Sequence, residues 1–355
     1  MKILVLGGTG AMGVPVVKIL AERGNEVYVT SRKRKTSESK RIKYIQGDAH
    51  DIKFVKKIVS QHFDAVIDFM VYSSDNFSQY CDLYLAHTKQ YIFLSSSRVY
   101  ANSNGEKITE NSPRLLDTIN DPEYLKTDEY ALAKAREENI LKSSGYSNYT
   151  IIRPYITYYN NRLQLGVYEK ENWLQRFLNG KKIVFSKNIA AKLTTLTYGY
   201  DVSLRIADLV GNKNSLGQCY HITTEETVRW HDVLNFYLDT LEEYFGKRPE
   251  VFMIDQSDSH YEKFAKYQIH YDREYDRIFS NTKIQKDTQE KSDFIKVKNG
   301  LRNCLLQFLE GERVFTYRSW RIEGVFDKIT GEKTSLFKIS GLKNKLKYFI
   351  FRYIL

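Results

Sequence analysis

The sequence predicts an α/β fold, a doubly wound parallel sheet joined to a smaller, mostly C-terminal α/β region. Three observations predict it. A short apolar run rich in β-branched residues, Lys2 to Leu6, opens the chain; spaced glycines follow at once; further apolar runs then alternate with segments of helical spacing.

Lys2 to Leu6 has the composition of a parallel strand buried on both faces. Gly7, Gly10 and Gly13 form a G-x-x-G-x-x-G turn, after which Val14, Val17 and Leu20 recur at helical spacing. In a strand-turn-helix setting the first glycine lets the backbone reverse, the second admits a pyrophosphate, and the third lets helix and strand lie close. The free N–H groups of the helix then face the phosphates. Spaced glycines alone make a tight turn; directly after a first strand they point to dinucleotide binding.

Glu26 to Thr30 reads as the second strand, followed by Ser31, Arg32, Lys33 and Arg34. A carboxylate here would grip a ribose 2′-hydroxyl, whereas a hydroxyl with basic neighbours accommodates a 2′-phosphate. NADP(H) is therefore favoured over NAD, with a solvated basic loop as the plain alternative. Ile42 to Ile45 is the third strand, ending in Gly47 and Asp48, an acceptor for an adenine amino group. Ala65 to Phe69 is the fourth strand, Phe77 to His87 a helix, and Tyr91 to Ser95 the fifth strand, which runs into Ser96, Ser97, Arg98, Val99 and Tyr100. Hydroxyls at the carboxyl end of a central strand point into a ligand crevice. Tyr130 and Lys134, four residues apart on a helix reaching Leu141, share a face; no other tyrosine in the chain has a lysine four positions later.

Charge is +11, from 54 basic and 43 acidic residues, and the last sixty residues hold 13 Lys/Arg against 5 Asp/Glu. That balance suits a polyanionic partner, whether nucleotide, RNA or acidic membrane surface. Cys81, Cys219 and Cys304 lie far apart with neither C-x-x-C nor a histidine pair, so they read as reduced core thiols of a cytoplasmic protein without a structural metal. The first strand starts too early for a signal peptide, and no apolar run nears the roughly 20 residues of a membrane span.

The ordered set of glycine turn, Gly47-Asp48, Ser95-Ser96-x-x-Val99-Tyr100, Thr109-Glu110-x-x-Pro113, Tyr130-x-x-x-Lys134 and Arg153-Pro154 resembles the extended short-chain dehydrogenase/reductase family of nucleotide-sugar epimerases, dehydratases and reductases. The likeness covers about the first 160 residues and continues weakly to about residue 310. It implies a Rossmann-type fold, a homodimer, Tyr130 as acid/base, Lys134 as its electrostatic partner and holder of the nicotinamide ribose, and Ser96 as the polarising hydroxyl. It further implies a cofactor lying against Gly7, Thr9, Gly10, Ala11, Met12, Gly13, Ser31, Arg32, Asp48, Ala49, Phe69, Ser95 and Pro154. Dehydratases of this kind carry Asp-Glu after the hydroxyl residue; here Ser97 and Arg98 stand there, which disfavours dehydration. A 4-ketoreductase serving surface-polysaccharide synthesis is expected, with an NAD-dependent 4-epimerase as the other enzymatic reading and an RNA-binding or regulatory module as the non-enzymatic one. Departures from the family pattern, Asp68 to Tyr72 and Thr197 to Val202, are expected to line the crevice.

Residues 1–158, with 190–222 returning, form the expected cofactor domain; 159–189 and 223–311 the substrate side; 312–355 an extension. Ser97, Arg162, Trp173 and Arg176 are expected to bind substrate, aromatic and basic groups together suiting a sugar-nucleotide diphosphate. The charged, tyrosine-rich stretch 256–294 receives no role. At the end of the chain Leu342, Leu346, Phe349, Ile350 and Tyr353 fall on one helical stripe among lysines. Such a stripe packs on its own subunit, on a dimer mate, or in an anionic membrane interface.

Overall fold

The computed structural model describes residues 1–256, 265–289, 292–316 and 318–355. They divide into two units: Met1–Tyr159 with Thr195–Thr227 and Arg277–Val297, and Asn160–Thr194 with Val228–Asp276 and Lys298–Leu355.

The first unit is built on seven parallel strands: β1 (Lys2–Leu6), β2 (Glu26–Ser31), β3 (Ile42–Gln46), β4 (Phe63–Asp68), β5 (Thr88–Leu94), β6 (Tyr149–Pro154) and β7 (Gln218–Ile222). Their order across the sheet is 3-2-1-4-5-6-7. The chain winds outward from β1 to β3, then returns to place β4 on the other side of β1. That reversal opens a crevice at the carboxyl ends of β1 and β4.

Alternation along each strand divides the core in two. Ile3 and Val5 of β1 face one layer with Val27, Val29 and Ile67; Leu4 and Leu6 face the other with Val66, Tyr91 and Phe93. Helices α1 (Gly13–Glu22) and α5 (Gly199–Leu209) cover the first layer through Val16, Leu20, Val202 and Ile206. Helices α2 (Ile52–Val59), α3 (Ser74–His87) and α4 (Tyr130–Ser143) cover the second through Val55, Ile58, Phe77, Tyr84 and Leu141. Each such side chain taken out of water stabilises the fold by about 1.5–3 kcal/mol.

The second unit holds a parallel strand pair, Ile183–Ser186 with Val251–Ile254, and the helices Lys170–Leu178, Trp230–Phe245, Trp320–Thr330 and Leu342–Phe349. The helix Val297–Glu310 enters it from the first unit. Of the stretch 256–294, residues 257–264 and 290–291 lie outside the described residues; Arg277 is fully buried and donates to the carbonyls of Ala101 (3.0 Å) and Tyr100 (3.1 Å).

Candidate active site

Because all seven strands run the same way, the segments following β1, β2, β3, β4 and β5 emerge at one edge of the sheet. Gly7 to Gly13, Ser31 and Arg32, Asp48, Phe69 and Ser96 are therefore neighbours of one crevice rim.

The glycines of the turn meet different constraints. Gly7 has φ +67°, a left-handed conformation that a side chain resists. A Cβ on Gly13 would stand 2.6 Å from the backbone of Gly8, so only glycine lets α1 start this close to β1. Gly10, by contrast, has nothing within 4 Å of where a Cβ would stand. Helix α1 begins with no side-chain cap at Met12; the Val14 N–H donates to the Gly10 carbonyl at 3.1 Å and Pro15 carries no N–H, so the helix start offers a ligand fewer N–H groups than a full first turn. An open glycine in front of an uncapped helix end fits a diphosphate. Thr9 is exposed, Ala11 and Met12 are half-buried, and the Thr9 N–H donates to the Gly7 carbonyl at 2.7 Å. Phe69, half-buried, closes the turn from β4, its N–H donating to the Leu6 carbonyl at 3.0 Å.

At the end of β2 Ser31 is half-buried, and Arg32 to Lys35 are exposed. Asp48 is exposed and accepts from the backbone N–H of His50 at 3.0 Å, the bond that does most to hold its carboxyl below the usual range. Gly47 is required because the Phe54 ring occupies the place of a Cβ. Ala49 beside it is buried.

The three serines after β5 have separate tasks. Ser95 donates to Glu138 at 2.6 Å, and Ser97, fully buried, donates to the Arg153 carbonyl at 2.8 Å. Both hydroxyl protons are thus engaged within the protein. Ser97, fully buried, has no surface to offer a substrate, and the expectation that it touches one is corrected. Ser96 accepts from the Arg98 N–H at 3.2 Å, capping the short 3-10 turn Ser97–Val99, and its own proton remains to donate.

Tyr130 is the first residue of α4 and half-buried. Glu129 caps that helix by accepting from the Ala131 N–H at 2.9 Å, and its other oxygen binds Arg98 at 2.6 Å. This ties the helix start to the turn after β5 and sets the Arg98 guanidinium 5.5 Å from the centre of the Tyr130 ring. A cation there makes a cation–π contact with the ring. In the sequence Arg98 stands out only as a missing acid; the Glu129 contact that aims it joins positions too far apart for spacing to disclose.

Lys134 is buried, its ammonium 2.9 Å from Glu137 Oε2 and 4.5 Å from the centre of the Phe93 ring. Burial pushes the Glu137 carboxyl up to about 7, against the opposing pull of Lys134. Asp68, also raised by burial, accepts from Tyr91 at 2.8 Å and Tyr72 at 3.0 Å. Asp68 and Tyr72 therefore form a core network, and the expectation that they line the crevice does not hold. Glu138, fully buried, is bound at both oxygens by Arg153, at 2.7 and 2.6 Å; burial raises this carboxyl, and the Arg153 and Ser95 bonds outweigh it and hold it low. Pro154 pairs in register with Ile222.

In the second unit, two expected ligand residues are structural. Trp173 is fully buried, stacks on Tyr237 at 4.4 Å and donates to the Leu163 carbonyl at 3.2 Å. Arg176, equally buried, meets Asp327 and Glu323 at 2.9 Å and Glu332 at 2.7 Å. A guanidinium so enclosed has no face to offer a diphosphate. Arg162 is part exposed and meets Glu169 at 3.0 Å.

Comparisons with known proteins agree with this architecture. Over 242 residues the chain is 26% identical to the chloroplast stem-loop binding protein of 41 kDa b of Arabidopsis thaliana, covering 64% of this chain and 60% of that protein. It is 32% identical over 142 residues to UDP-glucose 4-epimerase of Lactobacillus helveticus, covering 34% and 42%. The chain thus spans under two thirds of either curated relative. The crystal structure of the Bordetella bronchiseptica enzyme WbmH in complex with NAD+ superposes with a TM-score of 0.66 at 16% identity, over 87% of this chain and 98% of that one, a likeness of fold. The model of the NAD dependent epimerase/dehydratase family matches residues 3–192, more than half of the sequence, and the chain belongs to that family.

Proposed function

We propose that the chain is an NADP(H)-dependent oxidoreductase of the 4-ketoreductase type, acting on a nucleotide-activated sugar in surface-polysaccharide synthesis. The observation that carries this reading is Tyr130, half-exposed at the start of α4 with the Arg98 guanidinium 5.5 Å from its ring centre, at the edge where the open glycine turn also emerges. When bound, the nicotinamide nucleotide supplies or takes the hydride. Tyr130 exchanges a proton with the sugar oxygen at its hydroxyl, Arg98 stands beside its ring, Lys134 lies one helical turn on, and Ser96 donates to the same oxygen. Gly10 and the uncapped end of α1 hold the diphosphate, with Met12, Thr9 and Phe69 around it. Ser31 and Arg32 support the NADP preference, since no carboxylate ends β2.

The test is absorbance near 340 nm with a nucleotide-bound 4-keto sugar. Net loss of NADPH supports the reading, with Tyr130→Phe slowing it about 10²–10⁴-fold. The Lactobacillus helveticus relative favours a second reading, 4-epimerisation. Interconversion of 4-epimers with no net change in cofactor would establish that one instead. The chloroplast relative and the charge of +11 favour an RNA-binding role. Steeply salt-dependent RNA binding that survives Tyr130→Phe, with neither enzymatic activity present, would replace both.

A further inference from the structure

The end of the chain departs from the usual arrangement of an amphipathic helix. The helix Leu342–Phe349, continued by the turn Ile350–Ile354, is docked on the helix Trp320–Thr330. Gly324 permits the close approach, since a Cβ there would lie 2.8 Å from the Tyr348 carbonyl oxygen and 3.1 Å from the Arg352 nitrogen. Tyr348, buried, donates to Asp327 at 2.8 Å and accepts from the Thr334 N–H at 2.8 Å, and Arg352 donates to the Glu332 carbonyl at 3.1 Å. The inward face is thus polar and hydrogen-bonded. The apolar stripe points outward: Leu342 is 84% exposed and Leu346 57%, with Phe349 and Tyr353 exposed on the following turns. On the loop before the helix Phe337 is 98% exposed, beside an exposed Leu336.

A stripe of this size turned to water marks an interaction surface. Its charge identifies the partner. From Lys333 to Leu355 the sequence carries Lys333, Lys338, Lys343, Lys345, Lys347 and Arg352 and no Asp or Glu. A second copy docked face to face would bring these cations against their own counterparts with no carboxylate of the segment to answer them. Nucleic acid would meet the lysines and leave Phe337, Leu342 and Leu346 in water. A bilayer surface bearing anionic headgroups meets both, apolar side chains entering the acyl boundary and ammonium groups staying among the phosphates. We propose that this face, from Leu336 to Leu355, seats the protein on an anionic lipid membrane. Among the described residues no helix is long and apolar enough to cross one, so the association is peripheral.

The test uses the full chain in flotation with vesicles of phosphatidylcholine, alone or mixed with phosphatidylglycerol. Binding is expected only to the mixed vesicles and should weaken as salt rises. The exposed-face variant Phe337→Ser/Leu342→Ser/Leu346→Ser should lower partitioning by about tenfold or more, since it removes the inserting side chains. Lys338→Glu/Lys343→Glu should lower it too and leave thermal unfolding unchanged. These residues have no part in the proposed chemistry, so failure of the enzymatic reading leaves the membrane test intact. The proposal is overturned if the full chain stays with the soluble fraction on mixed vesicles, or binds both compositions equally. It is also overturned if the serine variant converts a dimer to a monomer in sedimentation without any vesicle binding in the parent.

Discussion

Replacing Arg176 by methionine separates a structural guanidinium from a ligand-binding one. The buried group donates to Asp327, Glu323, Glu332 and the Lys182 carbonyl, and the same carboxylates are reached by Lys181, at 2.6 Å from Asp327 and 2.8 Å from Glu323, and by Arg318, at 2.9 Å from Glu323. Three acids thus face three cations. Methionine fills most of the volume and leaves one negative charge without its partner. Removing one member of a buried pair costs about 3–5 kcal/mol. Because Lys181 stays on both Asp327 and Glu323, the lower end applies, about 3 kcal/mol. Burial raises the Asp327 carboxyl, but hydrogen bonds from Lys181 and Tyr348 and the charge of Arg176 outweigh it and hold it low. A depressed carboxyl contributes stability above its unfolded value that is lost as pH falls through the folded one, so the deficit of the variant should shrink on acidification. Urea unfolding followed by far-ultraviolet circular dichroism at neutral and acid pH measures both. A variant as stable as the parent that has lost binding of the nucleotide sugar would refute the structural assignment and restore Arg176 as a ligand residue.

The remaining expectations concern the sheet unit. Gly13→Ala drives a Cβ into the backbone of Gly8, 2.6 Å away, and should cost about 1–3 kcal/mol in thermal unfolding, whereas Gly10→Ala meets nothing within 4 Å and should leave stability nearly unchanged while weakening cofactor binding in a fluorescence titration. Equal loss of stability in both variants would contradict the packing argument. Glu137, raised by burial from 4.5 to about 7, keeps its proton in the folded chain at pH values where the unfolded chain has released it. Its contribution is fully present below about pH 4.5 and lost as pH rises through 7, a decline of up to about 3 kcal/mol that Glu137→Gln should abolish in urea midpoints taken across that range. Arg98→Met should lower kcat, because the cation beside the Tyr130 ring and its tie to Glu129 are gone; an unchanged kcat would remove Arg98 from the proposed site.

The parallel strands were legible because a strand covered on both faces must be apolar through its middle, as Ile3–Leu6 and Ala65–Ile67 are. Their ends were less so: the fourth strand, expected over Ala65 to Phe69, begins two residues earlier, its Phe63 buried among side chains from elsewhere in the layer. The seventh strand, Gln218–Ile222, carries Gln and His and gives little apolar signal, since it lies at the sheet margin and His221 is held by the Ser280 carbonyl at 2.5 Å. Proposed site residues on one turn or one helix, the glycines and the pair Tyr130 and Lys134, share a local pattern that spacing discloses. Trp173 and Arg176 could not, because the groups that enclose them, Tyr237, Asp327 and Glu332, are supplied by distant stretches that no local pattern connects. The crevice-lining expectation for Asp68 and Tyr72 failed for a related reason: Tyr91, which helps hold Asp68 in the core, comes from the next strand, which no local pattern connects to it.

The late arrival of β7 governs how the molecule can come into being. Its sheet unit draws on Thr195–Thr227 and Arg277–Val297 as well as the first 159 residues. A ribosome must release most of the polypeptide before that unit has all its parts, and until Gln218–Ile222 emerges, β6 presents an unpaired margin. Nor can one cut liberate it: a nick after Tyr159 yields a six-stranded remnant with a bare β6, prone to pairing with a neighbour's strand. Messenger truncations and protease scars in this chain should therefore declare themselves as insoluble material rather than as a trimmed, working fragment.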